Sequence, residues 1–319
     1  MRLHAAAVVG LLLLVACAPA EQSFQPDAAV KSTLADNAFV TADGTKLPSR
    51  SWLPQGNPKA IIVAVHGFND YSHAFETTGQ FFKKRGIAVY AYDQRGFGSA
   101  PDTGIWGGEQ NFVSDLKEYV ERLKSRYPHT PVYILGESMG GALAIIAMAD
   151  PEFPKVQGVI LSAPAVWGDG TLNPFYRSTL WVAAHTLPFE TLTGNNLKIM
   201  ASNNIEMLRR LSADPKVIKK TRIDAIYGMV ALMDSAYEKT PEVKTPVLLL
   251  YGGQDQVIPK QPIDETLHRF NQKVTYVFYP DGYHMLLRDL QGEQVMKDIQ
   301  SWITRPSAKL PSGYGQLVD

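Results

Sequence analysis

Six short runs rich in β-branched and aromatic residues punctuate the chain: Ala60 to Val65, Ile87 to Tyr92, Val132 to Leu135, Val156 to Leu161, Val247 to Tyr251 and Val274 to Tyr279. Most are apolar at both odd and even positions, the pattern of strands buried on both faces of a parallel sheet. Between them lie segments of helical period, such as Phe112 to Tyr127, with Phe112, Val113, Leu116, Tyr119, Val120 and Leu123 on one face. Strand and helix alternate, which predicts a mostly parallel, doubly wound α/β sheet. Ahead of these runs, Asp43-Gly44 sits between the extended pieces of residues 39–53, a hairpin signal suited to antiparallel edge strands. The interval from Trp167 to Thr240 has no convincing strand and predicts a helical insertion, with helices over Leu180 to Leu187 and Ile223 to Met233. Such an insertion belongs over the carboxyl ends of the strands, where open α/β sheets bind ligands. The predicted organisation is a core of residues 37–166 and 241–305, a helical cap of 167–240 and a C-terminal tail of 306–319.

The 319 residues include 31 basic and 31 acidic side chains, so no net field recruits nucleic acid, and nucleic acid is excluded as the expected partner. The single cysteine, Cys17, rules out an intramolecular disulfide, a cysteine zinc site or a CxxC redox motif. Its place is informative. Arg2 and the apolar stretch Ala5 to Ala16 form an export signal too short to span a bilayer, which takes ~20 apolar residues. The ending Leu14-Val15-Ala16-Cys17 resembles the bacterial lipoprotein signal, in which cleavage precedes a cysteine that is then lipidated. This resemblance implies a signal peptide of residues 1–16 and a lipidated, flexible tether of 17–36, with Pro19 and Pro26 and few large apolar groups. Ala18 stands where aspartate would retain a lipoprotein at the inner membrane, which favours the outer membrane. The alternative is a plain signal peptide cut near Ala18-Pro19-Ala20.

The chemistry concentrates on three later segments. After the strand Val132 to Leu135 comes Gly136-Glu137-Ser138-Met139-Gly140-Gly141, then an apolar helical run, Ala142 to Ala149. This is G-x-S-x-G in the strand-turn-helix context that presents a nucleophilic serine on a sharp turn. A serine needs a base and an orienting acid. His284 follows the last strand in Pro280-Asp281-Gly282-Tyr283-His284 and is the predicted base, whereas His129, His185 and His268 lack catalytic context. The acid must fall between the serine and the histidine. Asp255, ending a buried strand and a glycine turn, is favoured, with Asp169 as its rival; Asp281 lies too close to His284 in sequence. Oxyanion donors are expected from the backbone N–H of Met139, at a helix mouth, and of Phe68, in His66-Gly67-Phe68-Asn69-Asp70. His66 reads as a scaffold residue, and Asp93 and Arg95 as a pair that fixes their loop.

Together, HGF, DQRGFGS, GESMGG, GGQDQVIP and DGYH resemble the monoacylglycerol lipase and lysophospholipase branch of the α/β-hydrolases, over roughly residues 37–305. The resemblance implies the α/β-hydrolase fold with a helical cap over an acyl pocket, Ser138, Asp255 and His284 as triad, and Phe68 and Met139 as oxyanion hole. The family elbow usually carries histidine before the serine; here Glu137 stands there. The expected activity is hydrolysis of the acyl ester of monoacylglycerol or lysophospholipid through an acyl-enzyme on Ser138, with no metal or cofactor. A small-ester esterase and a proline-releasing serine peptidase share the scaffold. A non-catalytic lipid-binding protein is disfavoured by the complete triad set. The cap's apolar residues, including Trp167, Leu172, Phe175, Trp181, Leu187, Phe189, Ile226, Met229 and Met233, are expected in part to line an acyl tunnel.

Overall fold

The structure, a computed structural model, describes residues 18–23, 31–167, 173–194 and 198–318. The expected signal stretch of residues 1–16, Cys17, Asp169 and Leu172 lie outside the described residues.

The chain runs β1 (Thr33–Leu34), β2 (Ala38–Val40), β3 (Lys46–Trp52), β4 (Ala60–Val65), α1 (Glu76–Lys83), β5 (Ile87–Tyr92), α2 (Glu109–Arg126), β6 (Val132–Glu137), α3 (Met139–Ala149) and β7 (Gly158–Ser162). It continues through α4 (Pro174–Thr186), β8 (Thr191–Thr193), α5 (Ile205–Ala213), β9 (Lys220–Arg222), α6 (Ile223–Lys239), β10 (Val247–Gly252), α7 (Lys260–Leu267), β11 (Val274–Tyr279), α8 (Gly292–Thr304) and β12 (Gly315–Val318). Ten strands form one sheet in the order β1-β2-β3-β5-β4-β6-β7-β10-β11-β12. The six apolar runs are its six parallel strands, β5-β4-β6-β7-β10-β11. The Asp43-Gly44 hairpin joins β2 to β3 with Val40 opposite Lys46, and β1 to β3 make the antiparallel edge.

Both faces of the sheet are covered, and the strand period shows how. In β4, Ile61, Val63 and Val65 enter one core cluster, with α2, α3 and α6, while Ala60, Ile62 and Ala64 enter the other, with α1 and α8. Each fully buried large aliphatic side chain of this kind contributes ~1.5–3 kcal/mol, which explains why both positions of the period are apolar.

Three expectations need correction. The cap contains a two-stranded antiparallel ribbon, β8 with β9, besides its helices. Thr191-Leu192-Thr193 and Lys220-Thr221-Arg222 are too short and too polar to announce themselves by alternation. The tail of residues 306–319 is not merely a tail, since β12 adds antiparallel to β11, with Val318 opposite Val274, and Leu310 is buried. The segment after Cys17 is not wholly a free tether. Gln22 donates its backbone N–H to Trp106 O at 3.0 Å, and its own carbonyl accepts from Asn111 Nδ2 at 2.8 Å. The backbone N–H of Ala20 reaches Asp224 Oδ2 on α6 at 3.3 Å. An extended strand whose backbone groups find partners no longer behaves as a solvated linker. Smaller shifts occur as well: β7 begins at Gly158 rather than Val156, and α4 starts six residues before Leu180.

Candidate active site

Ser138 stands between β6 and α3 with φ 55° and ψ −117°, a backbone conformation that costs a non-glycine residue of order 1–3 kcal/mol. Its surroundings hold it there. Its N–H donates to Ser162 O at 3.0 Å on β7, and its carbonyl accepts from the N–H groups of Gly141, Ala142 and Ala165. The flanking glycines are a steric necessity: a Cβ at Gly136 would lie 2.2 Å from Gly140 O, and one at Gly140 would lie 2.0 Å from Val65 O. The turn is thus pressed against both its own helix and β4.

The loop after β4 crosses directly over this turn. A Cβ at Gly67 would be 3.3 Å from Ser138 Cβ and 3.9 Å from its Oγ, so Gly67 permits the approach and carries Phe68 with it. The Phe68 ring packs edge-on against Phe97 and Trp106. Met139 is the first residue of α3, where its N–H has no acceptor within the helix and the helix dipole favours negative charge. His66 is fully buried, with Nδ1 donating to Gly67 O at 2.9 Å and Nε2 accepting from the Gln94 N–H at 3.0 Å. Burial pushes its pKa down, and the neutral ring ties the loops after β4 and β5 together.

Asp255 and His284 meet. His284 Nδ1 lies 2.8 Å from Asp255 Oδ2, and both side chains are buried. The other carboxylate oxygen, Oδ1, accepts from the N–H groups of Val257 at 2.7 Å and Ile258 at 3.0 Å. Every side of the carboxylate is thereby fixed, and the ring nitrogen that faces away, Nε2, is left as the one able to take a proton. The two loops are also joined by the backbone, Gln254 N–H to Gly282 O at 2.8 Å. Asp281 enters through its carbonyl, which accepts from Gln291 Nε2.

Asp93 and Arg95 do fix their loop, but not by pairing with each other. Asp93 accepts from the backbone N–H groups of Ser72 and Ser99. Arg95, fully buried, spans Asp115 and Asp43 with contacts of 2.7–3.0 Å and locks the Asp43 hairpin to α2.

Sequence reasoning missed one buried charge cluster. Arg288, four residues after His284, donates through Nη2 to Glu137 Oε1 at 2.6 Å and through Nη1 to Asp70 Oδ2 at 2.7 Å. Burial opposes the charge of Arg288, yet the two carboxylates outweigh it and raise its pKa further. The available signal was that Glu137 and Arg288 are charges set in apolar stretches, each of which requires a counter-ion when buried.

The cap is bonded to the loops that carry Phe68, Asp255 and His284. Asn69 beside Phe68 accepts through its carbonyl from Ile218 N–H and donates through Nδ2 to Thr221. Gln256 beside Asp255 accepts from Met200 N–H, and Met285 beside His284 donates to Ala201 O. The insertion is therefore tied to the loops that follow β4, β10 and β11. Its apolar residues divide differently from the expected tunnel lining: Met229 and Met233 are buried in the core, whereas Phe175, Trp181, Leu187 and Phe189 are more than half exposed. The outer helix α4 buries only Ala184 among its residues, so its large side chains form an open apolar rim. Among the described residues, no cluster of three or more His, Cys, Asp or Glu could hold a metal ion.

Comparison with known proteins follows the same lines. Residues 56–291 match the family described as serine aminopeptidase, S33. The chain is 29% identical over 277 residues to a monoglyceride lipase of Rattus norvegicus, covering 83% of this chain and 89% of that one. It is 26% identical over 287 residues to a monoacylglycerol lipase of Mycolicibacterium smegmatis, covering 86% and 98%. In fold it is similar to a soluble variant of monoglyceride lipase from Saccharomyces cerevisiae solved with a substrate analogue, at a TM-score of 0.72 and 17% identity, covering 91% of this chain and 99% of that one.

Proposed function

The chain belongs to the serine aminopeptidase S33 family, and on that premise we propose that it is a serine ester hydrolase cleaving monoacylglycerol through an acyl-enzyme on Ser138. The observation that carries the reading is the His284–Asp255 pair, because its Nδ1 bond fixes the tautomer that leaves Nε2 basic. In the first half-reaction Ser138 Oγ attacks the ester carbonyl while His284 Nε2 takes its proton. The carbonyl oxygen becomes an oxyanion between the N–H groups of Phe68 and Met139. The C–O bond to glycerol then breaks, and His284 returns the proton to the leaving alkoxide. Water repeats the sequence on the acyl-enzyme and releases the fatty acid. Asp255 stays ionised and stabilises the imidazolium.

The names of the two curated relatives favour monoacylglycerol over lysophospholipid, and the open apolar rim of the cap is suited to an acyl substrate. A panel of esters from acetyl to palmitoyl, with glycerol and phosphoglycerol heads and a prolyl amide, tests the reading below micellar concentration. Each buried CH₂ gains ~0.8 kcal/mol, so kcat/KM should climb several-fold per two carbons until the site is filled. A preference for acetyl or butyryl esters would favour a small-ester esterase, and a preference for the amide a peptidase.

We also infer that Cys17 is lipidated and anchors the protein at the outer membrane. The Leu14-Val15-Ala16-Cys17 pattern supports this, and Ala20, three residues later, reaches Asp224 of the cap. Leu187 and Phe189, on the exposed rim, flank Pro188, whose carbonyl accepts from the Asp224 N–H. An anchor at residue 17 would therefore hold the cap side of the protein toward the lipid.

A further inference from the structure

Ser138, His284 and the expected oxyanion donor Phe68 stand on three different loops, following β6, β11 and β4. Arg288 and Asp70 come from the loops after β11 and β4, and Glu137 is the last residue of β6. Glu137 is the residue immediately before Ser138. Asp70 closes the Phe68 loop, with its N–H on Gly67 O and its Oδ1 on the Tyr71 N–H. Arg288 is tied rigidly to His284 through a short, bonded segment: its N–H and that of Asp289 both donate to Met285 O, and Asp289 Oδ2 accepts from Tyr283 N–H at 2.7 Å. Its carbonyl also accepts from Asn204 Nδ2 of the cap. A displacement of Arg288 is therefore a displacement of His284.

Stability alone is a poor account of this cluster. Buried ion pairs often do no more than break even against apolar packing of the same volume, and their best-attested use is to fix register between elements. Glu137 Oε2 and Arg288 Nε, moreover, are buried without a partner among the described residues, so the cluster carries polar atoms that a purely stabilising device would satisfy. The strained turn at Ser138, in contrast, needs neighbours that over-determine its position. A guanidinium suits that task because its planar fork binds two carboxylates in fixed directions.

We propose that Arg288 is a positioning residue of the hydrolase reaction: by clipping the His284 loop to Glu137 and Asp70, it sets the approach of His284 to Ser138 and of Phe68 to the reacting carbonyl. Glu137, in place of the histidine usual in the resembling family, is the other half of the same device. The proposal rests on the reading of Ser138 and His284 as nucleophile and base.

Three variants of the full chain test it: Arg288→Met, Arg288→Lys, and Arg288→Met combined with Glu137→Gln and Asp70→Asn, which removes the buried charges altogether. Each is assayed for the rate of fluorophosphonate labelling, for kcat and KM on a short soluble ester, and for Tm. Arg288→Met should lower the labelling rate and kcat together, on the order of 10²-fold for a displacement of about 1 Å, with KM little changed. Arg288→Lys, able to hold one carboxylate, should fall between the two. The triple variant should regain Tm while its labelling rate stays low, and it decides the matter even where Arg288→Met is too unstable to assay. A labelling rate that returns with Tm in the triple variant, or that never falls in Arg288→Met, overturns the clip. Ser138→Ala separates the two failures: if labelling persists there, the nucleophile is elsewhere and the clip falls with it.

Discussion

At the scale of single residues, chemically similar groups carry unequal weights in the reaction. Ser138→Ala should cost on the order of 10⁶ in turnover, leaving only what binding and the oxyanion donors supply. Asp255→Asn should cost about 10⁴, because an amide stabilises the wrong tautomer of His284 and cannot offset the imidazolium charge. Asp169→Asn should leave turnover within a few-fold of wild type, and a reversed ranking in kcat would displace Asp255 as the acid. The sequence pointed to these residues for local reasons: Gly136 and Gly140 mark a tight strand-to-helix turn, and Asp255 and His284 each follow an apolar run across a short glycine-containing loop. Arg288 was not legible as a partner of Glu137. The two are 151 positions apart, on strands separated in the sheet by β7 and β10, and meet only because the loop after β11 reaches back to the end of β6. For the same reason the sequence suggests Asp93 as the partner of Arg95, while its buried partners in the fold are Asp43 and Asp115.

At the scale of elements, that Arg95 cluster makes the antiparallel edge dependent on one side chain. Arg95→Met would strand two buried carboxylates and should destabilise the fold by about 3–5 kcal/mol, read by chemical denaturation. Burial pushes Asp115 up to about 7, while Asp43, the other carboxylate of the lock, shifts the opposite way and gives an acid-side pH dependence. Burial works to raise the pKa of Asp43, but the hydrogen bonds from Arg95, Thr41 and Thr45 outweigh it and hold the carboxyl well below its usual range. A depressed folded-state pKa means stabilisation that is complete above the unfolded value, ~3.9, and is lost as pH falls below it. Tm of the wild type should therefore drop more steeply below about pH 4 than that of Asp43→Asn, and parallel curves would refute the assignment. The large elements were readable because a buried strand or an amphipathic helix repeats its signal over many positions. The β8–β9 ribbon and β12 were not, since three or four polar or exposed residues become strands only when a partner supplies the ladder.

At the scale of the whole molecule, two parts of the chain are fastened around the core: the cap, bonded to the loops of Phe68, Asp255 and His284, and residues 20–22, bonded to Asp224, Trp106 and Asn111. Cys17→Ser should release the protein from membranes or leave the precursor uncleaved, since one acyl chain binds only marginally and stable anchoring needs the additional chains of a lipoprotein. Mass spectrometry finding an unmodified amino terminus at another residue would refute lipidation. The central claim, that monoacylglycerol is hydrolysed at Ser138, is tested most directly by mapping a fluorophosphonate adduct while monoacylglycerol competes. One adduct is expected, on Ser138, and its formation slows as monoacylglycerol is raised. An adduct on any other residue, or labelling of Ser138 indifferent to monoacylglycerol, would contradict it.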